Sequence, residues 1–274
     1  MKLPEYFSFN QQNLQDYVDC PRRFYLRHVL KQEWPAIESD PVLEQETLII
    51  LGSRFHQMVQ QLFAGVPQEN IDASIVDVDL KNWWHQFILL DIGASSGTKY
   101  SEMQFSIPFE DFRLTAKYDL LIYQPNQTVL IYDWKTSQHS PKRDWLRTRM
   151  QTRIYPLVIS SIAAQVNSTF ALPPDQIEMI YWYPAFPENP VKFSYSQEKF
   201  AEDQHYFKTM IKEILQLDES GFTKTENETL CKYCRYRSLC NRGVSAGNRD
   251  EIEESETSLD SAFDLDFDQI SPVD

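Results

Sequence analysis

The sequence has no run of about 18 apolar residues, so no membrane-spanning helix is expected. Its first ten residues, MKLPEYFSFN, lack the apolar segment of a secretory signal, which makes the cytoplasm the expected location. The Walker A pattern G-x-x-x-x-G-K-[ST] is also missing, which excludes a P-loop motor within these 274 residues. A hydrophobic content of 42% fits a globular protein, and a chain of this length can bury a substantial core in one or two domains.

Basic residues are missing from the last part of the chain. Residues 250–274 contain ten acidic side chains and no Lys or Arg. The composition of residues 245–274 predicts disorder, and the tail is either a solubilising end or a segment that competes for a basic surface. The whole chain has a net charge of −14, and removing these ten charges leaves −4 on the body. The acidic balance therefore does not exclude a polyanionic partner.

One short segment reverses the charge balance. Residues 142–153, here called the basic strip, carry five cations against the single carboxylate of Asp144: Lys142, Arg143, Arg147, Arg149 and Arg153. A local concentration of positive charge is sufficient to hold phosphates. The alternative is an ordinary solvated helix face.

Cysteine is scarce, and the four that occur are Cys20, Cys231, Cys234 and Cys240. In the expected cytoplasmic setting, a C-x-x-C-x5-C triplet is more typical of metal ligands than of disulfides. Cys20 is the one remaining cysteine and supplies a fourth ligand. Four thiolates can hold either a structural zinc ion or a 4Fe–4S cluster, and the spacing does not separate the two.

The most informative segment is a predicted hairpin, TAKYDLLIYQPNQTVLIYDWKTS, at residues 115–137. Asp133 and Lys135 are two apart on a strand, so they project to the same face, and pairing across the turn places Asp119 beside them. Two carboxylates and an ammonium at one strand end can hold a divalent metal and activate water. Glu102, on the preceding strand, is a candidate ligand for a second metal. A solvated Asp–Lys pair on a surface hairpin is the alternative.

Hydrophobic periodicity predicts an α/β protein. Helices are expected at 11–30 with an interruption at Cys20-Pro21, and at 47–64, 80–91, 142–165 with a kink at Pro156, and 197–217. Strands are expected at 101–109, 112–123, 128–135, 176–184 and 190–196. The implied organisation is a helical N-terminal lobe (1–100), an α/β core (101–217), a cysteine segment (218–244) and the acidic tail (245–274).

Five segments in order resemble the PD-(D/E)xK nuclease superfamily, and more closely its RecB-like branch with an iron–sulfur cluster. They are Leu14–Phe24 with Cys20, Gly52-x-x-x-His56, the Asp119–Lys135 hairpin, Gln151-x-x-x-Tyr155 and the cysteine triplet. AddB-type nuclease domains and the iron–sulfur nucleases of CRISPR adaptation belong to this branch. One departure is Lys117, where many relatives carry Gly. The resemblance spans residues 10–243.

The resemblance implies a restriction-endonuclease-like mixed-sheet core and a metal-dependent deoxyribonuclease, acting as an exonuclease or end-trimming enzyme on single-stranded DNA or DNA ends. It implies Mg²⁺ or Mn²⁺ held by Asp119, Asp133 and His56, with the Trp134 carbonyl as a fourth ligand. Lys135, Gln151 and Tyr155 complete the catalytic set, and Tyr155 either contacts DNA or is an ordinary half-buried aromatic residue. A 4Fe–4S cluster is favoured over zinc.

Two biological settings fit the resemblance: recombination and repair with a helicase partner, or CRISPR spacer acquisition with an integrase partner. A non-catalytic subunit that binds DNA ends and an RNA-acting nuclease are the alternatives. No membrane partner is expected.

Overall fold

A mixed β-sheet organises the protein in the computed structural model. The structure describes residues 3–4, 6–33, 42–124, 128–137, 142–166, 173–231 and 234–243, with the backbone alone for 42–49 and 163–166. The strands are β1 (Ser8–Phe9), β2 (Thr98–Phe109), β3 (Phe112–Tyr123), β4 (Val129–Trp134), β5 (Ile177–Trp182) and β6 (Val191–Ser194). The predicted disordered tail lies outside the described residues.

The long strand β3 is the centre of the sheet. It pairs along its length with β2 in an antiparallel hairpin, and its other edge pairs with β1 in parallel and with β4 antiparallel. Strand β4 then pairs in parallel with β5, which pairs antiparallel with β6. A parallel pair needs a crossover connection, and the helices between β4 and β5 supply it. The α/β class with a mixed sheet is confirmed and is consistent with a restriction-endonuclease-like fold.

The helices cover both faces of the sheet. They are α1 (Gln11–Asp19), α2 (Pro21–Phe24), α3 (Val42–Phe63), α4 (Gln68–Ala73), α5 (Val78–Leu89), α6 (Arg143–Thr148), α7 (Met150–Val166) and α8 (Gln197–Gln216). A π-helical turn, Tyr25–Val29, follows α2. None of the helices in the described part of the chain is long and apolar enough to cross a membrane.

Two hydrophobic cores lie on opposite sides of the sheet. The first core is built around α1, α7 and α8, and includes Leu14, Leu157, Val158 and Phe207. The second core is built around α3 and α5, with Phe55, Trp84 and Phe87 packed against Trp134 and Trp182. The N-terminal segment joins the first core through Phe9 and Leu14. It therefore packs with the sheet, whereas α3–α5 form the separate layer.

Strand β3 contributes to both cores, and its pattern changes phase at Asp119. Up to Tyr118 its even-numbered side chains enter the first core, as Leu114 and Ala116 do. Beyond Asp119 the even-numbered Leu120 and Ile122 enter the second core, and Leu121 enters the first. A regular strand keeps one parity on one face, so the alternation is interrupted at Asp119.

The predicted elements are largely present, and the differences concern one divided helix and two short elements. The expected 142–165 helix is divided, because Arg149 is extended (φ −72°, ψ 142°) between α6 and α7. Pro156, where a kink was expected, lies inside α7. Strand β1 and helix α4 were not predicted, since two residues and six residues carry too little periodicity to be recognised.

A buried ionic cluster stabilises the N-terminal helices. Asp16 is 4% exposed and accepts contacts from Arg23 Nε at 2.7 Å, His28 Nε2 at 2.8 Å and Arg27 Nη1 at 3.3 Å. Burial alone raises the pKa of this carboxyl, but Arg23, His28 and Arg27 together lower it well below its ordinary value. One carboxylate therefore ties α1 to α2 and to the π-helical turn.

Asp16→Ala is expected to lower the free energy of unfolding by about 3–5 kcal/mol, because it leaves the buried Arg23 without its main partner. Denaturant unfolding monitored by circular dichroism measures the change. The control is Asp144→Ala, which removes an exposed carboxylate 3.6 Å from Arg147 and should cost less than about 0.5 kcal/mol. Equal losses in the two variants would contradict the assignment.

Candidate active site

Two carboxylates face each other across the β2–β3 hairpin. The ladder pairs Ser101 with Leu120 and Met103 with Tyr118, which places Glu102 opposite Asp119. Glu102 has φ +54°, in the left-handed region that a residue with a Cβ rarely adopts. Such local strain is concentrated at functional sites. The irregular backbone of Glu102 lies at the same level of the sheet as the phase change at Asp119.

His56 completes a group that can hold a metal ion. The ligand atoms of His56, Glu102 and Asp119 all lie within 4.8 Å of one another. His56 Nδ1 is 3.4 Å from Asp119 Oδ1 and 4.0 Å from Glu102 Oε1. An imidazole with two carboxylates suits Mn²⁺ as well as Mg²⁺. The donor set therefore fits the divalent ion that the sequence predicts.

A glycine on α3 sets the position of His56. A Cβ at Gly52 would lie only 2.7 Å from Thr136 Oγ1, at the end of β4, so the helix approaches the strand more closely than a side chain would allow. His56 lies one helical turn after Gly52 and is carried over the two carboxylates. The G-x-x-x-H spacing thus has two physical reasons. Gly52 allows α3 to pack closely on the end of β4, and His56, one turn later, is placed next to the two carboxylates.

The metal-binding group has a defined electrostatic balance. Burial raises the pKa of Asp119, while His56, the Trp134 amide and Lys135 lower it, with a net shift below its ordinary value. The Trp134 N–H donates to Asp119 Oδ2 at 2.8 Å. Burial lowers the pKa of His56, but Asp119 and Glu102 raise it by a larger amount, and the resulting pKa is about 9. Without a metal, His56 is therefore protonated at neutral pH.

Lys117 pairs with the second oxygen of Glu102, with Nζ 2.8 Å from Oε2. Burial and the nearby Asp119 raise the pKa of Glu102, and Lys117 and His56 oppose that increase, leaving a net upward shift. The departure from glycine at position 117 thus introduces a cation next to the metal-binding group.

Asp133 and Lys135 form a second group at the end of β4. Lys135 Nζ is 3.0 Å from Asp133 Oδ2. The Gln151 amide, from α7, donates to Asp133 Oδ1. Asp133 is 3% exposed. Its buried charge is stabilised by the Lys135 ammonium on one oxygen and by the Gln151 hydrogen bond on the other. The shared strand face that the sequence predicts is present.

Tyr155 lies one turn after Gln151 but is only 3% exposed, and its ring packs against Tyr118 with centroids 4.8 Å apart. The Tyr118 hydroxyl donates to the Tyr155 carbonyl at 2.8 Å. A ring this deeply buried has no free face for a base to stack on. Tyr155 is a buried residue whose side chain hydrogen-bonds with Gln151.

The basic strip does not act as one surface. Arg153 Nε contacts the buried Asp203, and its guanidinium lies 3.8 Å from the centroid of the Tyr206 ring. Arg143 and Arg149 instead lie over aromatic rings, those of Phe193 and Trp145, each at 4.7 Å. Arg153 is therefore a structural residue, and the positive surface is confined to the region of α6 and its junction with α7.

The four cysteines lie in one region, near the start of α2. Burial raises the pKa of Cys231, and the thiols of Cys20 and Cys240 raise it further. Burial raises the pKa of Cys234 to about 11, and Arg23 opposes the shift. Among the described residues, however, no three thiols lie within 4.8 Å of one another. A closed site formed by the four cysteines is therefore not present.

The predicted metal ligands are brought together in part. His56 and Asp119 meet as expected, and they are joined by Glu102, which the sequence suggested only for a second metal. Asp133 lies outside this group of three and binds Lys135 and Gln151 instead. Trp134 takes part through its amide N–H. The proximity of Glu102 to His56 depends on hairpin register and an unusual backbone conformation, and no sequence motif encodes either.

Mn²⁺ binding is expected to release about one proton at pH ~7.5, because the metal must displace the proton that His56 holds up to pH about 9. Below pH 9, affinity should therefore rise about tenfold per pH unit. Calorimetry in two buffers of different ionisation enthalpy measures the released proton. His56→Asn should weaken binding and remove this proton, while the exposed His205→Asn should leave both unchanged. Proton release that is the same in His56→Asn would exclude His56 as a ligand.

Comparison with known proteins shows the superfamily of the chain. A structure of a protein from Eubacterium rectale, provisionally named an exonuclease, shares 12% identity, covers 90% of this chain and 96% of its own, and has a TM-score of 0.50. The crystal structure of SSO0001 shares 13% identity over 87% of this chain and 88% of its own, with a TM-score of 0.41. No curated protein sequence matches. The model of the PD-(D/E)XK nuclease superfamily matches residues 8–241, so the chain belongs to that superfamily.

Proposed function

We propose that the protein is a metal-dependent deoxyribonuclease that trims single-stranded DNA or DNA ends. The observation that carries this proposal is the convergence of His56, Glu102 and Asp119 within 4.8 Å, beside the Asp133–Lys135 pair. A divalent ion bound there would supply a lowered pKa for water and a positive charge for the phosphate. The name of the Eubacterium rectale protein is in keeping with exonuclease activity.

Each residue of the site has a separate role in the proposed reaction. His56, Glu102 and Asp119 would hold the ion, and the Trp134 amide fixes the orientation of the Asp119 carboxylate. Lys135 orients the attacking water or neutralises the charge that develops on the phosphate. Gln151 holds Asp133, which keeps the Lys135 ammonium in place. Hydrolysis adds water across one P–O bond, leaving a phosphate end and a hydroxyl end.

We propose two biological settings for this activity: recombination and repair beside a helicase, or CRISPR spacer acquisition beside an integrase. In either setting the partner would separate the strands or join the ends, and this protein would cleave.

Cleavage should require the Asp133–Lys135 pair. Labelled single- and double-stranded oligonucleotides, with RNA of the same sequence, are incubated with Mn²⁺ or Mg²⁺. Asp133→Asn and Lys135→Gln are expected to reduce DNA cleavage by a factor of about 10² or more, while DNA affinity changes by less than about threefold, because both groups act mainly on the transition state.

The control is Lys208→Gln, which removes an exposed lysine paired with Glu110 at 2.5 Å and should keep the wild-type rate. Wild-type cleavage by Lys135→Gln would remove this pair from the mechanism. Cleavage of RNA alone would replace the deoxyribonuclease assignment with an RNA-acting one.

We further propose that Cys20, Cys231, Cys234 and Cys240 hold a 4Fe–4S cluster. Besides burial, the nearby Cys20 thiol is one of the groups that raise the pKa of Cys231, Cys234 and Cys240, so the four cysteines lie in one region. Zinc and a 4Fe–4S cluster take the same four thiolate ligands, and the resemblance to the iron–sulfur branch favours the cluster. The Arg22 amide donates to the Thr223 carbonyl at 3.0 Å, which already joins α2 to the segment leading into the triplet.

Anaerobically purified protein is expected to be brown, with broad absorption near ~400 nm and about four irons per chain. Replacing any one of the four cysteines with Ser should remove the colour and lower the thermal unfolding midpoint, because the cluster joins segments about two hundred residues apart. One zinc per chain and no iron, measured by elemental analysis, would decide for a structural zinc site.

A further inference from the structure

Arg149 occupies a defined position at the junction of α6 and α7. Its backbone is extended, its N–H donates to the Leu146 carbonyl at 3.1 Å, and the next amide, that of Met150, donates to the Gln15 side chain at 3.0 Å. The Gln15 contact is buried and connects the junction to α1. The break in the helix is therefore fixed by hydrogen bonds on both sides, and it turns Arg149 away from the helical path.

The guanidinium of Arg149 is held against an aromatic ring. Its Cζ lies 4.7 Å from the centroid of the Trp145 ring, and Trp145 packs partly against the first core. A guanidinium over an aromatic ring is attracted to the ring face, and it carries a planar fork of N–H donors. Two parallel donors of this fork match two oxygens of a phosphate.

The junction is linked to the catalytic pair by short connections. Two residues after Arg149, Gln151 donates to Asp133. Thr152 Oγ1 lies 2.7 Å from the hydroxyl of Tyr181, and Tyr181 is the neighbour of Asp133 across the parallel β4–β5 pair. The basic junction and the catalytic carboxylate are therefore held by consecutive residues of one helix.

Arg149 also lies close enough to Tyr181 to act on its hydroxyl electrostatically. Burial raises the pKa of Tyr181 and the charge of Asp133 raises it further, while Lys135, the Thr152 hydrogen bond and Arg149 lower it. The charges of Arg149, Lys135 and Asp133 thus all act on one hydroxyl.

We propose that Arg149, held over the Trp145 ring, binds a backbone phosphate next to the scissile one and so positions the strand for cleavage. This inference rests on the proposed nuclease function and adds a positioning residue to it. Contact with the backbone alone makes the hold independent of base sequence. It suits an enzyme that advances along a strand or trims ends of varied sequence.

The first test separates binding from chemistry. Affinity for a fluorescent single-stranded oligonucleotide is measured with Ca²⁺ over a range of salt, and cleavage kinetics are measured with Mn²⁺. Arg149→Ala should weaken affinity and raise KM about tenfold, with a much smaller change in kcat, and it should flatten the salt dependence by about one phosphate contact, roughly 0.7 in the logarithmic slope. Arg149→Lys keeps the charge without the planar fork, so it should recover only part of the loss.

Two further variants control for stacking and for charge. Trp145→Leu removes the ring, leaves the arginine in place, and should resemble Arg149→Lys. Arg113→Ala removes an exposed arginine that is bonded to Ser106 on the hairpin and should change KM by less than about twofold. Circular dichroism and thermal midpoints show whether each variant is folded, and Arg149→Lys keeps the test valid if Arg149→Ala is not.

The second test identifies the phosphate. A series of oligonucleotides carries a single uncharged methylphosphonate at each position around the cleavage site. At an enzyme concentration below saturation, one neutralised phosphate beside the scissile bond should slow single-turnover cleavage by the wild-type enzyme about tenfold. The same neutralised phosphate should slow cleavage by Arg149→Ala little further. Penalties that multiply at every position would overturn the contact. A wild-type enzyme that leaves all DNA intact would instead reject the nuclease function itself.

Discussion

Repulsion among carboxylates is the constraint around which the site is built. Glu102 lies opposite Asp119 across one strand pair, and like charges facing each other across strands are destabilising. Asp133 brings a third negative charge on the next strand, deeply buried. A fold that keeps these groups near one another must supply positive charge and hydrogen-bond donors from elsewhere. The parts of the chain that do so define the architecture of the site.

The compensating groups come from different layers of the protein. His56 lies on α3, Lys117 lies on the same strand as Asp119, and Gln151 lies on α7. Because His56 and Gln151 belong to the two helical layers and the carboxylates to the sheet, the charges are fully balanced only when both layers are packed in place. The close approach permitted by Gly52 is one visible part of this arrangement. The balance of charge at the site therefore depends on the packing of the helices that carry His56 and Gln151.

Much of the fold can be predicted from sequence because its long elements carry strong periodic patterns. The β2–β3–β4 strands, α5 and α8 fall close to their expected bounds, and the Asp133–Lys135 pair follows from the two-residue repeat of a strand. The break at Arg149 could not be predicted, since its cause is a hydrogen bond between Met150 and Gln15, which are distant in sequence. The same limit applies to Arg153, whose partner Asp203 is fifty residues away.

The phase change in β3 has a consequence for how the protein unfolds. Because Tyr118 and Leu121 enter the first core while Leu120 and Ile122 enter the second, this part of β3 is packed by both layers on either side of the irregularity at Asp119. Loosening either layer exposes part of the strand that the other layer packs against. The two cores are therefore expected to lose structure as one cooperative unit, with the amides of β3 among the last to exchange with solvent.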